Sequence, residues 1–250
     1  MNLFVDALAW LTDPANWTGA GSIPQRIIEH LWISAVVLVI AAAIALPLGG
    51  VIGHTGRGRE PAVMVSGGLR ALPTLGVLTL FALWLGIGLQ APVIALVILA
   101  IPPLLAGAYA GFESVDRRTV DAARAVGMRE VQIVGKVELP LSLPIVVGGI
   151  RSATLQIIAT ATLAAYVSDF GLGRFIFAGL KTRDYGEMLG GSLLVIILAL
   201  VVDGGFALTQ RLAVPAGVRA ARTAENTELR SGPTRPRAVV GRPIIEGNQE

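Results

Sequence analysis

The sequence predicts an all-α, polytopic membrane protein with about five transmembrane helices. Two observations predict this class. Hydrophobic residues make up 54% of the 250 residues and charged residues only 15%, whereas a soluble domain carries about 25% charged residues. Uncharged stretches also recur along the chain, and each is long enough for a hydrocarbon core, which takes about 20 apolar residues per helix. A lipid bilayer is therefore the solvent that this composition fits.

The first three spans follow from two uncharged stretches. Residues 31–53 carry no charge, and they end before a cluster of basic residues, which makes them the clearest span. Residues 71–112 also carry no charge, and as one helix they would be about 63 Å long, enough for two spans. Glycine and proline punctuate this stretch, so we expect a second span at residues 61–88, with Pro73 near its inner end, and a third at residues 91–111.

The last two spans are expected at residues 143–167, which contain Arg151, and at residues 188–212, which contain Asp203. The N-terminal segment, residues 1–30, would add a sixth span if it inserted. We expect it instead to lie flat in the membrane interface, because its apolar residues share one helical face and two aspartates break the run. These residues are Leu3, Phe4, Ala7, Leu8 and Leu11, with Asp6 and Asp13.

The distribution of basic residues predicts the orientation in the cytoplasmic membrane. With the N-terminus outside and the C-terminus in the cytoplasm, the inner side carries fourteen lysines and arginines and the outer side four. This bias satisfies the positive-inside rule. All four tryptophans then fall near the outer interface, as an aromatic belt requires.

The chain changes character after the last span. Residues 213–250 are rich in Arg, Pro, Thr and Glu and have no helical apolar pattern, which predicts a disordered, basic cytoplasmic tail. A plain solvated tail is the preferred interpretation, and contact of its arginines with the lipid surface is the alternative. The predicted organisation is thus an interfacial segment at residues 1–30, a membrane-spanning domain at residues 31–212, and this tail.

The loop between the third and fourth spans, residues 113–142, is called the polar loop. Its sequence predicts a short helix at residues 117–126, which Asp116 or Thr119 would cap and Gly127 would end. A second helix is expected at residues 129–137, ended by a proline before the membrane begins again. Its apolar face would consist of Val131, Val134 and Val137.

The polar loop resembles the EAA motif of ABC importer permeases, which reads Glu-Ala-Ala, three residues, Gly, nine residues, Ile, one residue, Leu-Pro. Five of the seven motif positions are identical here, while Asp121 replaces Glu and Val137 replaces Ile. A loop that merely connects two spans is the alternative, but a connector rarely needs this spacing. The matching residues are Asp121, Ala122, Ala123, Gly127, Val137, Leu139 and Pro140.

This resemblance implies that the polar loop docks into a groove on a cytoplasmic ATPase. Ala122 and Ala123 would let the two backbones approach closely, and Gly127 would set the docking angle. Closure of the ATPase pair would then move the spans as rigid bodies. ATP would bind to that partner, because the sequence contains no Walker-type GxxxxGK segment and no catalytic constellation. We therefore expect a transport subunit that is not an enzyme and carries no cofactor.

Further segments resemble permeases of the proline, glycine betaine and choline importers, which transport osmoprotectants. The resemblance covers residues 31–212 and implies the fold of methionine-type importers. It also implies a dimer with an identical or homologous permease, and delivery of substrate by an extracytoplasmic binding protein. The segments are residues 70–76, 101–105, 137–144, 149–154, 159–166 and 171–173.

Polar and charged residues inside the spans are the remaining candidates. Gln156, Thr160 and Thr162 of the fourth span would line a translocation pathway, or else form hydrogen bonds between helices. Asp203 would pair with Arg70, Arg151 or water as an intramembrane anchor, with a direct transport role as the alternative. The segment opened by residues 171–173 would be a gate, a contact for the binding protein, or a re-entrant turn.

Alternative functions would require residues that are scarce in this sequence. An amino-acid importer permease is the nearest alternative. An ion-coupled secondary carrier would need buried charged relays, and the spans contain few charges. A metal site is not expected, since the chain has no cysteine and two histidines.

Overall fold

A computed structural model describes residues 2–213 of this chain, with side chains as far as residue 209. The predicted tail lies outside the described residues. The α-helices, in chain order, are α1 (Leu3–Thr12), α2 (Ile23–Thr55), α3 (Arg59–Ala71), α4 (Thr74–Leu85), α5 (Gln90–Glu113), α6 (Arg117–Ala125), α7 (Glu130–Ile133), α8 (Leu139–Ala161), α9 (Gly173–Thr182) and α10 (Tyr185–Ala213). A π turn (Val134–Glu138) links α7 to α8, and 3₁₀ turns occur at Pro14–Trp17 and Thr162–Tyr166.

Four helical segments of the described chain are long and apolar enough to cross a membrane. They are α2, α5, the continuous helix Glu130–Tyr166, and Tyr185–Thr209 of α10. The bent pair α3 and α4 would make a fifth. The prediction of about five spans is confirmed in this sense, because charge-free stretches of this length form helices that bury their own backbone hydrogen bonds.

The second span is not one helix, and the prediction of a continuous helix over residues 61–88 is wrong. The axes of α3 and α4 differ by 83°. The break lies at Leu72, whose backbone is extended (φ −68°, ψ 130°), followed by Pro73. Proline disfavours the helical conformation in the residue before it and cannot donate a backbone hydrogen bond. Arg70 lies exposed just before this bend.

The fourth span begins earlier than predicted, and Pro140 does not end the helix before it. The helix runs without interruption from Glu130 to Tyr166. At the π turn, Leu139 donates its backbone N–H to the carbonyl of Val134, five residues earlier. Such a wider turn lets a helix pass a proline that cannot donate to the carbonyl four residues before it.

The core of the bundle lies around α5, which packs between α2 and α8. Small residues allow these helices to touch. A Cβ added to Gly107 of α5 would lie 2.5 Å from the Cα of Gly149 in α8, and one added to Gly49 of α2 would lie 2.5 Å from the Cβ of Ala108. The buried residues of this core are Ile33, Val37, Ala41, Ala45, Leu96, Val97, Ala100, Leu104, Leu105, Ala153, Ile157, Ala161 and Ala164.

A second cluster joins α1, α9 and α10. The Trp10 ring meets the Phe175 ring edge to face, with centroids 4.9 Å apart. The predicted N-terminal helix is therefore present, and Ala7 is fully buried on the bundle. Leu3, Phe4 and Leu8 stay exposed, which suits contact with lipid. The interfacial position of α1 stays a prediction.

Candidate functional site

The first helix of the polar loop forms as its sequence predicts. Asp116 caps α6, because its carboxylate accepts the backbone N–H of Arg118 at 2.9 Å. At the other end Gly127 adopts a left-handed conformation with φ +84°. The N–H of Gly127 then donates to the Arg124 carbonyl at 2.9 Å. The stop at Gly127 is thus confirmed, since glycine adopts this conformation at little cost.

The polar loop has a small hydrophobic core of its own. Ala123 is 8% exposed there, so it faces the loop interior, while Ala122 is exposed. The predicted apolar face of the second helix is only partly right: Val137 packs against the loop core, whereas Val131 is 84% exposed and Ile133 is the buried residue. Ile133 and Val137 lie four residues apart on one face, and Val131, two residues before Ile133, points about 160° away from it. The core consists of Val115, Val120, Ala123 and Ile133, with Met128 and Val137 packed against it.

Four small apolar side chains lie exposed on the loop, among exposed residues that are otherwise mostly charged or polar. Ala122 and Ala125 are exposed on α6. Val126 follows them with 79% of its surface exposed, and Val131 lies on α7. The motif residues Leu139 and Pro140 lie in the first turn of α8, where Leu139 is 41% exposed. We call Ala122, Ala125, Val126 and Val131 the loop surface. Small side chains of this kind permit close backbone contact with another protein.

A chain of polar contacts connects the loop to α2. Arg124 donates to Glu130 at 2.8 Å and to Asp121 at 3.1 Å. The carboxylate of Glu130, followed by that of Asp121, holds the pKa of the Arg124 guanidinium above its usual range. Glu130 also lies 3.2 Å from Nε2 of His54, and Nδ1 of His54 lies 2.6 Å from Glu138. The sequence pattern does not indicate this contact, because His54 and Glu138 are 84 residues apart.

Two polar residues of the fourth span, Gln156 and Thr160, form hydrogen bonds inside the bundle. Gln156 donates to the Leu99 carbonyl of α5 at 3.1 Å, and Thr160 donates to the Gln156 carbonyl at 2.8 Å. Two of the pathway candidates, Gln156 and Thr160, lie on one helical face with Ala164, and that face is not open, since Ala164 is fully buried against the core. These three residues are spaced four apart and share the face that packs on α2 and α5.

A different face of the same helix is open. Ser152, Ala159 and Tyr166 are exposed, and Thr162 is half-buried beside them. We call these four residues the open face. Their spacing of three, four and seven residues places them in one line along the helix. Thr162 and Tyr166 lie toward the end of the bundle that carries α9, far from the polar loop.

A cleft of about 560 Å³ opens at that end. Tyr166 contributes to it, and the Tyr166 ring lies 5.7 Å from the Phe177 ring. The cleft combines aromatic, acidic and basic side chains. The residues that line it are Ile87, Ala165, Tyr166, Val167, Ser168, Asp169, Arg174 and Lys181.

The turn at residues 171–173 is held firmly against α2. Asp169 binds Arg26 at 3.1 Å and Arg174 at 3.0 Å. The backbone N–H of Gly171 donates to Glu29 at 3.0 Å. Gly171 is left-handed with φ +77°, and a Cβ on Gly173 would collide with the Thr162 carbonyl. Of the three interpretations of this segment, these contacts favour a fixed turn over a moving gate.

An ion pair joins two of the spans, α8 and α10. Arg151 of α8 donates two hydrogen bonds to Asp203 of α10, at 2.6 and 2.7 Å. This is the anchor pairing expected for Asp203, with Arg151 as the partner. Arg70 lies elsewhere, lining a cleft of about 190 Å³ with Tyr109 and neighbouring residues. Within residues 2–213, no group of three or more His, Asp or Glu side chains is placed to hold a metal ion.

Comparisons with known proteins agree with this architecture. Residues 45–213 match the family model described as binding-protein-dependent transport system inner membrane component. The chain is 32% identical over 202 residues to the choline transport system permease protein OpuBB of Bacillus subtilis, covering 81% of this chain and 93% of that protein. It is 34% identical over 194 residues to the carnitine transport permease protein OpuCB of Listeria monocytogenes, covering 78% and 89%.

A solved structure of the MetNI methionine ABC transporter, in an inward-facing conformation, has the same fold. Its TM-score is 0.69 at 21% identity, and the match covers 82% of this chain and all of that one. At this identity the likeness concerns the fold alone. It confirms the predicted resemblance to methionine-type importers in architecture.

Proposed function

Since this chain belongs to the family of inner membrane components of binding-protein-dependent transport systems, we propose that it imports trimethylammonium osmoprotectants such as choline, glycine betaine or carnitine. As a member of this family it is a multi-pass permease subunit, and ATP hydrolysis belongs to a separate ATPase. The observation that carries the coupling to an ATPase is the loop surface, a set of small apolar residues exposed on a loop that has its own hydrophobic core. A surface of this kind suits docking to another protein.

The orientation is part of this proposal. The polar loop lies on the cytoplasmic side and the α9 end outside, as the positive-inside rule requires for the basic residues of the loop. The extracytoplasmic binding protein then approaches the cleft beside Tyr166. A second permease subunit, identical or homologous, faces this one across the pathway.

The ATPase docks on the loop surface. Asp121 and Gly127 flank that surface, while Ala123 and Val137 shape it from within by packing the loop core. Leu139 and Pro140 place the loop directly at the start of α8. Movement of the docked loop is therefore passed to the span through the continuous helix that begins at Glu130.

The substrate class follows from relatives and from the cleft. The relatives named above transport choline or carnitine, and a further Bacillus subtilis permease named for glycine betaine, carnitine and choline is 32% identical over 202 residues. A trimethylammonium group cannot donate strong hydrogen bonds, so aromatic faces and mild polarity suit it. Tyr166 offers such a face at the cleft, and the open face continues from it with small residues.

The pathway assignment predicts a difference between two threonines of α8. Because the chain has no cysteine, Thr162→Cys and Thr154→Cys each introduce a single thiol. We expect a membrane-impermeant maleimide to label Thr162→Cys in the assembled importer, and added substrate to slow this labelling several-fold. Thr154 is 7% exposed, so its cysteine is the matched control and stays unlabelled. Equal labelling of both, or of neither, would contradict the assignment of the open face.

The Arg151–Asp203 pair serves as a structural anchor between α8 and α10 in this proposal. Two hydrogen bonds to one carboxylate fix the relative rotation of these helices. The pair also neutralises two charges that would be costly to leave alone within the bilayer. Arg70, beside the bend at Pro73, is proposed as a charge near the inner end of the pathway.

The deciding experiment is affinity purification of the tagged chain from native membranes in mild detergent, followed by mass spectrometry of the retained proteins. We expect an ABC ATPase to co-purify, and a retained binding protein to bind betaine, choline or carnitine. Preferential binding of an amino acid would instead favour an amino-acid importer. If no ATPase is retained under conditions that preserve a known importer, and vesicles accumulate substrate without ATP, the chain is an ion-coupled carrier.

A further inference from the structure

We infer that the cleft beside Tyr166 selects zwitterions, with Tyr166 facing the trimethylammonium group of the substrate and Lys181 binding a carboxylate on the same molecule. Tyr166 ends the long helix that begins in the polar loop, and Lys181 lies on α9. Lys181 is then a residue that determines specificity, because glycine betaine and carnitine carry a carboxylate and choline does not. This inference rests on the proposed function and narrows its substrate class.

The cleft has the size and the aromatic wall that a small quaternary ammonium compound needs. Its volume of about 560 Å³ lies within the range of about 300–1,000 Å³ that is typical of ligand pockets. The Tyr166 side chain is exposed at its edge, and the Phe177 ring supports it with centroids 5.7 Å apart. An aromatic face attracts a quaternary ammonium group without needing a hydrogen bond from it.

The acidic side chain of the cleft is already paired. Among the described residues, Asp169 is the one acidic side chain that lines the cleft. Its Oδ1 accepts from Arg26 at 3.1 Å and from Arg174 at 3.0 Å, and its backbone carbonyl accepts from Arg26 at 2.7 Å. Two guanidinium groups around one carboxylate neutralise its charge, so Asp169 is not a binding group for a cation such as choline.

Lys181 supplies a positive charge that the cleft does not balance. It is exposed at the cleft, and its ammonium group forms no ion pair or hydrogen bond with any side chain that the structure describes. Glu187 of α10 interacts with Arg174 but does not line the cleft. Two basic side chains and one acidic side chain thus line it, a net charge of +1. A cation is repelled by this charge, whereas the carboxylate of a zwitterion is attracted.

The spacing along α9 suits a ligand that carries both charges. Phe177 and Lys181 are four residues apart on this helix, so they share one face with Cβ atoms about 5–6 Å apart. Because Phe177 contacts Tyr166, the ammonium group of Lys181 is within reach of a ligand that lies on the Tyr166 ring. A short carbon chain separates the two charges of betaine and of carnitine, and the flexible lysine stem can follow either length.

The test places one thiol in the cleft and measures which compounds protect it. The chain has no cysteine, and Ser168 is a half-buried residue of the cleft lining. Ser168→Cys is labelled with a maleimide in vesicles that carry the permease and its ATPase but no binding protein. We expect saturating glycine betaine to slow labelling at least about threefold, as mass action gives once the site is two-thirds occupied. Choline, at equal ionic strength, should have little effect.

Variants of Lys181 are then compared in the Ser168→Cys background. Lys181→Gln should lose the protection by betaine, whereas Lys181→Arg should keep it, because arginine retains the charge and the donors. Arg183→Gln removes an exposed charge that does not line the cleft, and it should also keep the protection. Each variant is scored by its own rates with and without ligand, since a nearby charge also changes thiol reactivity.

A second thiol controls for effects of the compounds themselves. Thr12 is exposed at the end of α1, outside the cleft, and labelling of Thr12→Cys should not respond to either compound. If Ser168→Cys does not accumulate, Val167→Cys replaces it, because Val167 also lines the cleft.

The outcomes separate this inference from the proposed function. Equal protection by betaine and choline, or full protection by betaine in Lys181→Gln, would refute selection by Lys181. Protection by neither compound, together with loss of import in Lys181→Gln, would show that Lys181 contacts the binding protein instead. In each of these cases ATP-dependent import of a trimethylammonium compound would still support the proposed function. Absence of such import from the complete importer would refute the proposed function itself.

Discussion

Replacing Gly127 by valine is expected to weaken binding of the ATPase by about tenfold or more while leaving the permease in the membrane. Gly127 has φ +84°, and a Cβ added there would meet no atom within 4 Å. The defect would therefore come from the backbone, since a β-branched residue is strongly disfavoured in the left-handed region. Strain of about 1–3 kcal/mol is typical for such positions. It would be relieved by changing the angle at which α6 leaves the loop surface toward α7.

The matched control for this prediction is Gly127→Asn. Asparagine tolerates the left-handed conformation far better than valine, and it has a side chain of comparable size. Both variants are to be compared by the amount of ATPase that co-purifies per unit of permease. Retention of the ATPase by Gly127→Val at the level of Gly127→Asn would show that the turn does not set the docking geometry.

Replacing Gly107 by leucine is expected to prevent the bundle from forming. The Cα of Gly149 occupies the place that a side chain on Gly107 would need, 2.5 Å from its Cβ. Backbone at such a distance cannot move aside as a side chain can, so α5 and α8 would have to separate. Overpacking of cores costs about 1–3 kcal/mol and sometimes more, and a loss of about 1–2 kcal/mol already changes cellular abundance several-fold. We expect little of this variant in membranes.

Gly204→Leu provides the comparison, because Gly204 lies in the last membrane-spanning helix and a Cβ there meets no atom within 4 Å. This variant should accumulate normally and keep its unfolding temperature in detergent. The amount of tagged protein in isolated membranes measures both variants on one scale. Normal accumulation of Gly107→Leu would mean that the close crossing of α5 and α8 is not required for folding.

The features predicted correctly from the sequence are those determined by residues that lie close together in the chain. The spans follow from uncharged length, and the polar-loop helix follows from the Asp116 cap and the Gly127 stop, each of which acts within a few residues. The EAA motif is also a local feature, because it is a fixed spacing of residues within one loop. Such features can be predicted from the sequence because neighbouring residues determine them.

The sequence predicted less where distant residues decide the outcome. A proline near a helix end permits either a gentle kink or a sharp bend, and contacts with distant residues decide between them. At Pro73 the result is a bend of 83°. Val131 and Ile133 are both apolar, and only the position of the loop core decides which one is buried. His54 and Glu138 meet through the crossing of two spans, which no periodicity in the chain indicates. The use of Gln156 in packing could not be predicted for the same reason, because its hydrogen-bond partner, the Leu99 carbonyl, lies on α5.

The unbroken helix from Glu130 to Tyr166 connects the polar loop directly to the cleft beside Tyr166. Its 37 residues correspond to a rod about 55 Å long. A tilt of about 10° around the loop end would swing the Tyr166 end by about 10 Å, which exceeds the size of a trimethylammonium group. In the proposed function, a modest displacement of the docked ATPase would therefore produce a larger displacement of the Tyr166 end of this helix, beside the cleft. The length of the helix would set how far that end moves.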